Sequence, residues 1–140
     1  MELNRQIGAL VLRLLLGFIF FFQGFGKIFK FGLENVYKNF FLSSYGELLP
    51  EFLLHFTAYY TSIIEFIGGA LLIIGYKKDY ALYALASVLI IASIGHGIKE
   101  PIWDLSHVMY RTMLLISLLW LPKRLDIFSI DNLIYNKLKK

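Results

Sequence analysis

The chain is predicted to be an all-α integral membrane protein: a four-helix bundle with both termini cytoplasmic. Three observations predict it. Hydrophobic residues make up 58% of 140 residues and charged residues only 17%, whereas a soluble domain of this size needs far more polar surface. Four apolar stretches, at about 7–29, 52–75, 80–98 and 103–121, each approach the roughly 20 residues that carry a helix across a bilayer. The basic residues fall unevenly between the connections, as they do in membrane proteins of fixed orientation.

The first span, 7–29, holds Arg13 and lacks a small-x-small cleavage site, so it reads as a span and not a cleaved signal. The connection from 30 to 51 places Leu33, Val36, Tyr37, Phe40 and Phe41 at helical spacing with Glu34, Lys38 and Asn39 between them. That pattern predicts a short amphipathic helix on the membrane surface. Pro50 suits the first turn of the second span. Short connections at 76–79 and 99–102 make spans two, three and four antiparallel neighbours. After Pro122 the tail, 122–140, sets Ile130, Leu133, Ile134 and Leu138 on one face beside Lys137, Lys139 and Lys140, a second amphipathic element.

Arg5, Lys77, Lys78, Lys123, Arg124, Lys137, Lys139 and Lys140 lie in the N-tail, the second connection and the C-tail, against Lys30, Lys38 and Lys99 in the other two connections. Positive residues stay cytoplasmic, so both termini are expected inside. The net charge of +4 is therefore assigned to orientation and not to nucleic acid. The chain has no cysteine, which excludes a dithiol relay, an iron–sulfur cluster and a thiolate zinc site.

Ionisable groups inside hydrocarbon are costly and mark functional or structural polar clusters. Orientation converts their positions into depths at about 1.5 Å per residue. Glu65 and Arg111 each fall ten residues from the inner end of their spans, near mid-membrane, and are expected to form a buried ion pair, either structural or part of a proton or substrate path. Gln23, His96 and His107 form a layer nearer the outer face, with Lys27 and Asp104 one turn further out. Gln23, Lys27, His96, Asp104, His107 and Arg111 are thus candidate lining for a ligand pocket. The plainer reading of the two histidines is that they bond loop carbonyls. His96, His107 and Asp104 number enough for three metal ligands, but the paired Glu-x-x-His helices of a di-iron bundle are absent, and no metal is expected. Arg13 lies close enough to the cytoplasmic end to snorkel, and Lys27 to the outer end. Gly17 and Gly24 share a face of span one, and Gly68–Gly69 follow Glu65 by about one turn; such glycines let helices approach closely.

These residues resemble the signatures of the DoxX family of small bacterial membrane proteins. Arg13, Gly17, Phe20, Gly24 and Lys27 are similar to its first-helix motif; Glu65, Gly68, Gly69 and Gly75 to its second. The segment from His96 to Asp104, leading to His107 and Arg111, is similar to its third connection. The resemblance implies a four-helix bundle in the bacterial inner membrane. It also implies association with quinol oxidase and thiosulfate:quinone oxidoreductase systems, or with membrane redox homeostasis. The expectation is then a quinone-interacting or redox-associated subunit. Quinone or quinol is its one expected cofactor, none is covalently bound, and no catalytic residue is assignable. Its partners are the lipid bilayer and, left open, a membrane redox subunit or a second copy of the chain. Two other functions compete: a non-enzymatic assembly or stability factor, and a small proton-coupled transporter using Glu65.

Overall fold

The computed structural model describes residues 1–100 and 106–138. All regular elements among them are helical. Helix α1 (Glu2–Phe25) is continued by a π-helical stretch, Gly26–Phe31, which ends at Gly32 with φ of 80°. Positive φ is open to glycine at little steric cost, so the chain turns sharply there. The next segment is helical in three short pieces: α2 (Leu33–Val36), a π-turn (Tyr37–Leu42) and α3 (Ser43–Tyr45). Helix α4 (Glu51–Ile74) follows Pro50 and stops at Gly75 in the left-handed region. There the Gly75 and Tyr76 amides donate to the Leu72 and Leu71 carbonyls, a Schellman closure. Helix α5 (Lys78–Lys99), α6 (Ser106–Trp120), a 3-10 turn (Lys123–Leu125) and α7 (Ile130–Leu138) complete the order.

Among the described residues, three helices are long and apolar enough to cross a membrane: Glu2–Phe31, Glu51–Ile74 and Lys78–Lys99. The expected fourth span begins among residues outside the description. Its described part, α6, has 15 residues, about 22 Å of helix, and packs on α5 and α1.

The tightest packing joins α1 to α4. A Cβ added at Gly24 would land on the Phe66 backbone, and one at Gly69 on the Phe21 backbone. Glycine makes this approach possible, and in lipid, where apolar burial drives little, such contact is what holds helices together. Leu16 and Phe20 of α1 meet Leu72 of α4, Leu82, Leu85 and Leu89 of α5, and Leu115 and Leu118 of α6 in one core. Leu15, Phe18, Phe22, Ile67, Ile90, Ile94 and Met113 point outward, the surface a bilayer would cover.

The 33–45 segment does more than lie on a surface. Its Val36 and Tyr37 are buried, and Tyr37 packs with Leu54 and Ala58 of α4 in a second core. Phe40 remains exposed and Phe41 half-buried. The expected amphipathic helix is thus broken by a π-turn and docked on α4, because its apolar residues fit that helix.

Candidate functional site

Polar side chains gather at both ends of the bundle. At the end holding the N-terminus, the α4–α5 turn and the tail, Arg13 is almost wholly buried, at 1% exposure. Its Nη1 donates to the Leu72 and Ile73 carbonyls at 2.7 Å each, its Nη2 to the Phe128 carbonyl at 2.9 Å, and its Nε to Asp126 Oδ1 at 3.1 Å. The last carbonyls of a helix lack intrahelical partners and carry partial negative charge, so Arg13 caps α4 from a neighbouring helix. Lys78 Nζ lies 3.6 Å from the other oxygen of Asp126. Asp131 accepts from the Lys77 and Lys78 amides at 2.8 and 2.9 Å, which caps the start of α5.

The expected snorkelling of Arg13 is therefore corrected. A carboxylate and three carbonyls solvate the guanidinium inside the protein, so it has no need to reach water. Sequence reading missed Asp126 and Asp131, having taken the tail as a surface element. The one available signal was a buried arginine with no acid at its depth in any span.

At the opposite end lies a cavity of about 620 Å³, well within the range of small-molecule sites. Most of its wall is apolar, from Phe40, Phe41, Leu53, Leu54, Val88 and Ile91. Ser44, Tyr45 and Leu49 of the 43–49 stretch also line it, so the docked connection forms one wall. Gln23 of α1, Lys27 of its π-helical continuation, Thr61 and Glu65 of α4, His96 of α5 and Arg111 of α6 supply polar groups.

The expected Glu65–Arg111 pair is also corrected. Glu65 is buried and its carboxylate lies 2.7 Å from Lys27 Nζ, while Arg111 Nη1 donates to Gln23 Oε1 at 3.0 Å. Lys27 thus turns inward to an acid and does not snorkel outward. The reason is in the helix neighbours. The close crossing at Gly24 and Phe66 brings the Lys27 face of α1 onto the Glu65 face of α4, whereas α6 packs on α5 and α1. Arg111 Nε is buried and has no hydrogen-bond partner among the described residues.

Of the six residues expected to line a pocket, Gln23, Lys27, His96 and Arg111 line one cavity. His107 is exposed and absent from that lining. Asp104 lies outside the described residues. Thr61, Ser44 and Tyr45 were not foreseen; a hydroxyl in an apolar helix is too common a feature to single them out. Among the described residues no group of three or more His, Asp or Glu is placed to hold a metal ion.

A third polar group sits beside the cavity, where the 33–45 segment meets α4. Tyr37 donates its hydroxyl to Glu51 at 2.7 Å, and burial followed by that carboxylate pushes its pKa up to about 12. The Lys38 ammonium, bonded to Glu34 at 3.1 Å, holds the Glu34 carboxyl below its ordinary value.

The chain is 37% identical over 101 residues to a protein of Bacillus subtilis (strain 168) named "Putative oxidoreductase CatD", a match covering 72% of this chain and 68% of that one. No solved structure matches the chain. The DoxX family profile matches residues 8–97, a stretch that runs from the start of the Arg13 helix through Glu65 to the cavity's His96, and the chain belongs to the DoxX family.

Proposed function

We propose that this DoxX-family membrane protein is a quinone-interacting, redox-associated subunit, and that the cavity between α1, α4, α5 and α6 is its quinone site. The observation that carries the reading is the cavity's make-up: a mostly apolar wall with a few polar groups, hydrogen-bond donors among them. Quinones need an apolar slot for ring and tail with a few donors for the carbonyl oxygens. Arg111 and the Gln23 amide bonded to it, both in the lining, supply them. The printed name of the Bacillus relative, an oxidoreductase, points the same way.

The placement in the membrane belongs to the same proposal. Arg5, Lys77, Lys123, Arg124 and Lys137 are all exposed, and the bonds of Arg13 and Asp131 gather their segments at one end. By the positive-inside rule that end is cytoplasmic. The protein then sits in the bacterial inner membrane with α6 as a fourth span, both termini inside, and the cavity in the outer half.

The test is titration of purified protein in nanodiscs with a long-chain menaquinone and a long-chain ubiquinone, followed by quenching of its tryptophan fluorescence. Saturable binding of either at about one per chain is expected. Binding that only tracks quinone partition into lipid, with no saturation, would overturn the reading and favour an assembly factor.

A further inference from the structure

We propose that the cavity takes its ligand as an anion: an amphipathic molecule whose acidic hydroxyl is ionised in the site, of the hydroxyquinone class. The inference rests on the quinone reading above and adds to it the charge state of the ligand's head. Three observations carry it.

The first is charge. Among the described charged residues that α1, its continuation, α4 and α6 bring to the cavity lining, Lys27 and Arg111 oppose the single carboxylate of Glu65. Lys99 and Glu100, also in the lining, cancel. Lys27 and Glu65 already satisfy each other at 2.7 Å. Among the described residues the Arg111 guanidinium has a neutral hydrogen-bond partner, the Gln23 amide oxygen. A cation in a low-dielectric interior attracts an anion far more strongly than it would in water.

The second is the unused donor. Arg111 Nε is buried without an acceptor among the described residues, and leaving such a group unmade costs more than a typical hydrogen bond returns. Nε and Nη2 of one guanidinium form a fork suited to oxygen acceptors. Gln23 has given its oxygen to Nη1, so its NH₂ is the group left over, a second donor beside the same point. The spare groups of the Arg111–Gln23 pair donate, which favours an oxyanion against them over a hydroxyl that must itself donate.

The third is the wall. Leu53, Leu54, Val88 and Ile91 extend the cavity in apolar surface, which fits a ring and alkyl tail and disfavours a small inorganic anion. The binding step balances simply. The ligand's O–H ionises, the oxygen keeps the electron pair and lies against Arg111, and the proton leaves to solvent. No oxidant or reductant takes part.

The probe is a 3-alkyl-2-hydroxy-1,4-naphthoquinone, compared with its 2-methoxy ether, which cannot ionise. The enolate's visible band is followed across pH with the protein in nanodiscs. Proton release is measured by calorimetry in two buffers of different ionisation enthalpy. The bound hydroxyl is expected to ionise about one unit or more below its value in protein-free nanodiscs, which corresponds to about tenfold tighter binding of the anion than of the acid. Arg111→Gln should abolish that shift and Arg111→Lys restore part of it, each with a thermal unfolding profile showing that the variant folds. Lys27→Gln, which frees Glu65, should raise the bound pKa.

If hydroxyl and methoxy forms bind equally and no proton is released, the anion inference fails while the quinone reading stands. If neither naphthoquinone binds, a spin-labelled fatty acid is compared with the matching alcohol. Arg111-dependent preference for the acid would keep the anion inference and overturn the quinone reading. No preference would overturn both.

Discussion

Arg13 is the residue on which the cytoplasmic end depends. Its guanidinium has four acceptors, one of them the buried Asp126. Breaking a buried ion pair from one side strands the other charge, at about 3–5 kcal/mol. Arg13→Met should lower stability by that order in a denaturant or thermal titration. Arg13→Met with Asp126→Leu should lose less than the sum of the two single changes, the signature of direct contact. The same cycle on Lys27→Met and Glu65→Gln should show coupling of about 0.5–3 kcal/mol, while Glu65→Gln with Arg111→Met should be closer to additive. Tyr37 gives a pH test. Its folded pKa is raised, so the protonated form is the stabilised one. That contribution is complete below the ordinary value of 10 and fades as pH rises towards about 12. A tyrosinate absorbance titration should contain a late transition that Tyr37→Phe removes.

At the scale of elements, the α1–α4 crossing decides where everything else goes. Gly24 and Gly69 touch backbone of the facing helix, whereas Gly8 has nothing within 4 Å. Gly24→Ala and Gly69→Ala should each destabilise by about 1–3 kcal/mol through overpacking. Gly8→Ala should be neutral or slightly stabilising, as alanine is the better helix former. This crossing also explains what sequence could and could not tell. Depth counted along a span gives height but not azimuth, so Glu65 and Arg111 matched in height and yet do not pair. Azimuth was present in the glycines. Gly24 and Lys27 lie three apart on one face of the first helix and its continuation, and Glu65 and Gly69 four apart on one face of α4. Requiring the glycine faces to meet puts Lys27 against Glu65. Nothing comparable marked Asp126, whose partner lies 113 residues away in a segment whose apolar pattern reads as surface.

At the scale of the whole molecule, hydropathy made the apolar helices legible, and the polar layers picked out Gln23, Lys27, His96 and Arg111 of the cavity lining but also His107, which is not in it. Hydropathy did not reveal that the 33–45 segment would dock on α4 and wall that cavity, because a broken amphipathic pattern reads the same on lipid as on protein. The proposed orientation is testable in a chain without cysteine. Single cysteines at Lys77 and Lys137 should react with an impermeant maleimide only from the cytoplasmic side of right-side-out vesicles after permeabilisation. One at Glu47 should react without it. The central claim is that the cavity holds the ligand, and filling it tests this most directly. Ala92 lines the cavity, and Ala92→Phe places a ring in it. Equilibrium titration of this variant with the long-chain quinone that binds the parent chain, in nanodiscs, is predicted to show affinity reduced about tenfold or more with unfolding behaviour unchanged. Undiminished binding to a folded Ala92→Phe protein would contradict the account.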